Sequence, residues 1–206
     1  MKINDRKTSL ELRFTEVYEN NVWGDLESKS GAGSRLDSPS VAESIKALQL
    51  IIKEYNIKSI NDIPCGDFNW IGDIIENHNI DYLGFDIVKK IVVDNTFKYK
   101  NYKFCQLDIT QQVPPRADLI FCKDLLNHLS YDDIYMSISN MKATKSKFFL
   151  SSNNFNYIDN VDLVLEHSGA SRYLDLMLPP FNFPSPSWRS SYLGLWDLKD
   201  IPDFLT

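Results

Sequence analysis

Nowhere does the sequence run for the roughly 18 consecutive apolar residues that a membrane-spanning helix needs. Its opening stretch, MKINDRKTSLEL, lacks the apolar centre of a secretory signal. No basic block interrupts a formal net charge of −6, so the phosphate-tracking surface of a nucleic-acid binder is not expected. Cysteine is sparse. Cys65, Cys105 and Cys122 are odd in number, far apart and set in or beside apolar strand-like runs, which reads as reduced thiols in a cytoplasmic compartment. His78, His128 and His167 form no group with metal-ligand spacing, so no metal is expected. What is present is ordinary for a folded domain: 206 residues, 43% hydrophobic and 24% charged, enough for one domain with a full core.

No internal repeat is visible, and the pattern divides the chain into three. Residues 1–37 are mixed and polar, ending in the Gly/Ser-rich SKSGAGSRLDS. Residues 38–152 alternate strand-like and helix-like segments, and residues 153–206 are rich in aromatics and proline. In the middle part, Ser40 with Glu43 reads as a capping box ahead of Ile45, Leu48, Ile52 and Tyr55 at helical spacing. Strands are expected at Ile60–Pro64, Tyr82–Ile87, Tyr102–Ile109, Ala117–Cys122 and Lys147–Ser151. Helices are expected at Trp70–Asn77 and, capped by Ser130, across Ile134, Ile138 and Met141. Such alternation predicts an α/β fold, an open and mostly parallel sheet with helices on both faces. Ligands of such sheets bind beyond the carboxyl ends of the strands. Polar residues collect there: Asp62, Gly66 and Asp67 after the first strand, Asp86 at the second, Asp108 at the third, Lys123 and Asp124 at the fourth.

The first of these turns, DIPCGDFNW, has one glycine where a dinucleotide-binding turn has three, and Pro64 fills one glycine slot. Gly66 still permits a positive φ and close approach of a ligand. Asp67 puts a carboxylate where a diphosphate would lie, and two like charges about 5 Å apart repel by roughly 3 kcal/mol at an effective dielectric near 20. The turn therefore favours a cofactor with positive charge and no phosphate. Asp86 suits the two hydroxyls of a ribose, and Asp108 an exocyclic adenine amine. A ribose, an adenine and a cation without phosphate describe S-adenosylmethionine.

DIPCGDFNW, YLGFDIV, LDIT and ADLIFCKDLLNHLS, with upstream FTEVYENNVWGD and SGAGS and downstream PPFNFP, together resemble the class I SAM-dependent methyltransferases over roughly residues 14–186. The likeness is nearest to a bacterial-type subgroup associated with polysaccharide and small-molecule biosynthesis. It implies a Rossmann-like, seven-stranded sheet and one methyltransferase domain. Residues 1–37 would be a lid, 38–152 a cofactor-binding core, and 153–206 the last strands and substrate loops. It also implies cofactor contacts at Asp62, Pro64, Gly66, Asp67, Asp86 with Ile87, Asp108 with Ile109, and Lys123, while glycines common in the class are replaced at Pro64 and Phe68. The chain stops soon after Trp196, so the last strands are expected to be incomplete.

Methyl transfer to a hydroxyl needs a base, and His128 and Asp124, four residues apart, are the candidates, with Glu16 a third by family position. Tyr18, Trp23 and Trp188 are candidate walls for a sulfonium, Ser34 belongs to the lid segment, and Arg172 and Arg189 are candidate grips for an acidic acceptor. The expected function is S-adenosylmethionine-dependent O-methylation of a small polar molecule, a sugar or nucleotide sugar. A non-catalytic cofactor-binding scaffold, a protein methyltransferase and an NAD-type oxidoreductase are the rivals.

Overall fold

The computed structural model describes residues 2–163 and 169–204, the first eight of these by backbone alone; His167 lies outside the described residues. Helix α1 (Lys2–Glu19) and a loop lead to α2 (Pro39–Glu54). There follow β1 (Ser59–Asp62), α3 (Gly72–His78), β2 (Asp81–Asp86), α4 (Lys89–Lys98), β3 (Lys103–Gln106), β4 (Leu119–Cys122), α5 (Tyr131–Ala143) and β5 (Phe148–Ser152). A closing hairpin-like pair, β6 (Trp188–Arg189) and β7 (Leu193–Asp197), completes the strands.

The seven strands form one sheet in the order β3-β2-β1-β4-β5-β7-β6. The first five are parallel, and β7 runs antiparallel to both β5 and β6. The expected incompleteness of the last strands is corrected: seven are present, β6 being only two residues long. The chain direction of strand order reverses between β1 and β4, which sets the ligand crevice at their carboxyl ends.

Burial on both faces explains why β4, Leu-Ile-Phe-Cys, is apolar throughout rather than alternating. On one face Ile134, Ile138 and Met141 of α5 pack with Ile120, Phe149, Trp196, Phe181 and Phe183. On the other, Leu48 and Ile51 of α2 and Ile74 and Ile75 of α3 cover Ile60, Leu119, Phe121 and Leu195. Each such side chain contributes about 1.5–3 kcal/mol by leaving water.

One expected helix start forms as read and two do not. Ser130 caps α5 by accepting from the Asp133 backbone N–H at 3.2 Å, as the spacing predicts. The Ser40/Glu43 capping box does not form. Ser38 is the N-cap and Pro39 opens α2, where its missing N–H costs nothing. Ser40 Oγ instead donates to the Gly33 carbonyl at 2.9 Å, and Glu43 accepts from Ser191 Oγ and the Tyr192 N–H. Tertiary partners outcompeted the local pair. Helix α3 also begins later than expected, at Gly72, so residues 64–71 are turns. Among the described residues no helix is long and apolar enough to cross a membrane.

Candidate active site

The carboxyl ends of β1, β2 and β4 open onto one cleft, and the first turn forms its floor. Gly66 adopts φ +50°, and a Cβ there would stand 2.3 Å from Ser30 Oγ. Both conditions admit only glycine without strain. Three neighbours fix the turn. The Gly66 N–H donates to Asp86 Oδ2 at 3.2 Å, the Gly66 carbonyl accepts from Asn95 Nδ2 at 2.7 Å, and the Val88 N–H donates to Asp86 Oδ1 at 2.9 Å. The Asp86 carboxylate, with up to four acceptor positions, keeps room for a further donor. Phe68, where the class commonly has glycine, also takes a positive φ, +56°. Its ring is clamped by Tyr82, Tyr99, Tyr102 and Phe104 at centroid distances of 5.2, 4.9, 4.8 and 5.2 Å, and this packing holds a conformation an isolated Phe avoids.

The expectation for Asp67 needs correcting. It stands well ahead of α3, not at a helix start, and its carboxylate turns to the N-terminal loop. It accepts from Ser28 Oγ at 3.0 Å, the Lys29 N–H at 2.9 Å and Ser30 Oγ at 3.2 Å, while its own N–H donates to Ser30 Oγ at 3.1 Å. Asp67 fastens a roof over the cleft. Asn69 adds bonds to Glu27 and the Ser34 carbonyl, and Lys123 Nζ donates to the Gly33 carbonyl at 2.9 Å. Helix α1 completes the roof: Leu10, Phe14, Val17 and Tyr18 face the cleft, and Arg13 donates to the His128 carbonyl at 3.0 Å. Gly66→Ala is expected to lower stability by at least about 1–2 kcal/mol through its left-handed backbone and to push Ser30 away. Hydrogen exchange should find the 28–30 amides less protected in the variant, and unchanged protection would contradict the close fit.

Beyond β4, Asp124 sits at φ +55°. Its carboxylate is held from both sides, by Lys123 Nζ at 2.6 Å and by a short bond from the Tyr192 hydroxyl. His128 lies in a 3-10 turn, Leu126–His128, with its ring 5.2 Å from that of Trp23. Its Nδ1 meets the Ala170 carbonyl at 2.8 Å. A carbonyl only accepts, so Nδ1 carries the proton and Nε2 bears the lone pair. No described residue hydrogen-bonds to Nε2. Burial pushes the His128 imidazole below its ordinary value, against the raising pull of the Ala170 bond and Asp124.

The cleft gathers Asp62, Pro64, Gly66, Asp67, Asp86, Ile87, Asp108, Ile109, Lys123, Asp124, His128, Tyr18, Trp23 and Ser34. Four expected residues are elsewhere. Glu16 is exposed on α1 outside the cleft wall, because the α1 stripe that faces inward is Leu10, Phe14, Val17 and Tyr18. Trp188 packs with the α2/α3 side of the sheet. Arg172 lines a neighbouring cavity, and Arg189 lies over the Phe155 ring at 5.0 Å. Asp108 reaches the cleft, but its carboxylate already accepts from Thr110 N–H and Oγ1 and from Gln111 Nε2, which makes it first a turn-former. Asn95, Tyr192 and Asn69 carry no signal of their role in the sequence, and Ser30 only as the first residue of the SGAGS lid segment; polar residues that bond across 29 to 68 positions leave no local pattern.

The lining acids Asp62, Asp67, Asp86, Asp108 and Asp124 outnumber the lysines, Lys29 and Lys123. Burial pushes Asp62 up to about 7, with Asp86 raising it further and the Tyr82 hydroxyl bond and Lys123 opposing. Burial likewise pushes Asp86 up to about 6, opposed by its backbone N–H donors. Unfolded, such carboxyls ionise near 3.9. The folded chain therefore binds more protons across that window, and the contribution of Asp62 to stability falls as pH rises from about 4 to 7. Asp62→Asn removes this penalty, so relative to wild type the variant should gain roughly 2–4 kcal/mol between pH 4 and pH 8. Urea midpoints at the two pH values measure it, and a pH-independent difference would refute it.

No protein-family model matches the chain, and no curated protein matches it. Solved structures do. The chain is similar to magnesium protoporphyrin IX methyltransferase from Synechocystis PCC 6803 with bound SAH, at 15% identity and TM-score 0.53 over 71% of each chain. The same protein with bound SAM matches at 14% identity and TM-score 0.53, over 71% of this chain and 75% of that one. At these identities the likeness concerns the fold: the strand order with an antiparallel β7 and helices on the sheet is the class I methyltransferase architecture.

Proposed function

We propose that this class I methyltransferase fold works as an S-adenosylmethionine-dependent methyltransferase acting on a hydroxyl of a small polar molecule, a sugar or nucleotide sugar. The observation that carries the reading is the meeting of Gly66, Asp86 and the other strand-end acids in one cleft. The fit is chemical. An acid-rich cleft with no helix N-terminus at its first turn disfavours a diphosphate and suits a cationic nucleoside. Asp86, with acceptor capacity left on its carboxylate, would hold ribose hydroxyls, and Gly66 leaves room beside it.

When bound, S-adenosylmethionine supplies a methyl group on a sulfonium, which departs with the bonding pair as a neutral thioether. The residues of the chain do the rest. The roof of α1 and residues 25–35 excludes water, and alignment of the acceptor in a closed cleft contributes several kcal/mol. His128 takes the acceptor's hydroxyl proton on Nε2, since burial keeps the ring neutral and Nδ1 is already anchored. Asp124 is less suited to that role because Lys123 and Tyr192 hold its carboxylate; it orients the acceptor instead.

Calorimetric titration with S-adenosylhomocysteine tests the reading. One-site binding that NAD does not compete with is expected. Absence of binding, or displacement by NAD, would overturn it.

A further inference from the structure

A second cavity adjoins the cleft, and Asp124 is the one residue on both walls. Its lining mixes the polar Ser152, Asn154, Asn127 and Arg172 with Leu174 and the rings of Tyr173 and Tyr192. Arg172 is the informative member. Its Nη1 donates to the Leu129 carbonyl at 2.6 Å and, more weakly, toward the Asn127 carbonyl at 3.4 Å, and the guanidinium lies over the Tyr131 ring at 5.3 Å. Its Nε and Nη2 are buried and have no partner among the described residues, and neither has Asn127 Oδ1. Nε and Nη2 together form the side-on edge of a guanidinium, the edge that matches two oxygens of a carboxylate or phosphate. A buried donor pair left unmatched is rare in folded proteins, because each such group loses its water without replacement. Among the described residues two acids bear on the region. Asp162 acts on Arg172 electrostatically, but one of its oxygens already serves the Tyr131 and Leu163 N–H groups; Asp124 is tied by Lys123 and Tyr192.

We infer that this second cavity is the acceptor site, and that it takes a hydroxylated small molecule bearing an oxyanion, a carboxylate or a phosphate, which the free edge of Arg172 receives while a hydroxyl lies at Asp124. The inference rests on the methyltransferase reading for its chemistry but not for its binding. The roof of α1 and the 25–35 loop closes the cleft from the N-terminal side, and the second cavity meets it at the shared Asp124. Tyr173, 67% exposed beside Arg172 and 5.7 Å from the Tyr157 ring, gives the cavity an aromatic rim on which a sugar ring or base can rest.

The test follows the Arg172 Nε–H resonance in the isotopically labelled full chain, with and without S-adenosylhomocysteine, during titration with glucose 6-phosphate, glucuronate, inorganic phosphate and glucose. A saturable shift with glucose 6-phosphate or glucuronate and none with glucose is expected, and the stronger of the two names the oxyanion. Inorganic phosphate alone should bind more weakly than either sugar. Arg172→Lys keeps the charge but not the paired donors, and should weaken the better ligand at least tenfold while leaving S-adenosylhomocysteine binding within twofold. If neither anionic sugar moves the resonance, if glucose does so equally, or if the lysine variant binds as well as wild type, the inference fails. Failure of S-adenosylhomocysteine to bind would instead remove the cofactor reading, and the resonance titration run without it would still decide this one.

Discussion

Asp86→Asn is expected to bind S-adenosylhomocysteine at least 100-fold more weakly than the wild-type chain. A hydrogen bond to a charged acceptor contributes about 1.5–3 kcal/mol. Replacing one carboxylate oxygen by an amide removes an acceptor outright and weakens the other bond by taking away its charge. Together these come to roughly 3–4 kcal/mol, or about 10² to 10³ in affinity. The substitution also reaches the floor of the cleft, because the Gly66 and Val88 N–H groups each need an acceptor and an amide NH₂ offers none. Whichever contribution dominates, the loss appears in the binding isotherm, while circular dichroism reports whether the sheet survives. A folded variant binding within threefold of wild type would end the ribose assignment.

His128→Asn is expected to reduce turnover by about 10² to 10⁴, the span typical of a lost general base, with S-adenosylhomocysteine affinity within about threefold of wild type. Asparagine can still donate to the Ala170 carbonyl through Nδ2, so the anchoring bond survives and only the Nε2 lone pair goes. The wild-type pH profile supplies a second reading. Because burial lowers the imidazole from 6.5, activity should be level through neutrality and fall on the acid side below that value. Measured as kcat at saturating S-adenosylmethionine, which removes the titration of Asp86 in cofactor binding, the asparagine variant should lack that limb. A variant with near-normal turnover and the same acid limb would make His128 a structural anchor between the 126–128 turn and Ala170.

Much of the fold was legible because its signals are local. The strands β4 and β5 are short runs with apolar centres, β1 and β2 end at Asp62 and Asp86, and Ser130 sits where a cap belongs. The α1 stripe Leu10, Phe14, Val17 and Tyr18 has helical spacing, yet it is diluted by charged neighbours and was read as mixed. In α4, Ile91 and Asn95 are the buried residues, and Val88 at its N-cap packs with Ile91. The site was legible where backbone geometry demands a residue type, at Gly66, or where a strand end presents an acid, at Asp86. It was not legible where one polar side chain meets another far along the chain. Asp67 is the instructive case: its position was foreseen and its partner was not, since nothing in DIPCGDFNW shows that Ser28, Lys29 and Ser30 will fold over it.

That overhang has a kinetic consequence. The bonds from Asp67 to residues 28–30 contribute on the order of 1 kcal/mol each, and under the proposed function a demethylated product beneath them departs only when they let go together. Under the proposed function the clasp then sets the rate of egress as a step separate from the chemistry. Loosening the clasp, as Asp67→Asn would, should quicken release even as it admits solvent to the reacting atoms.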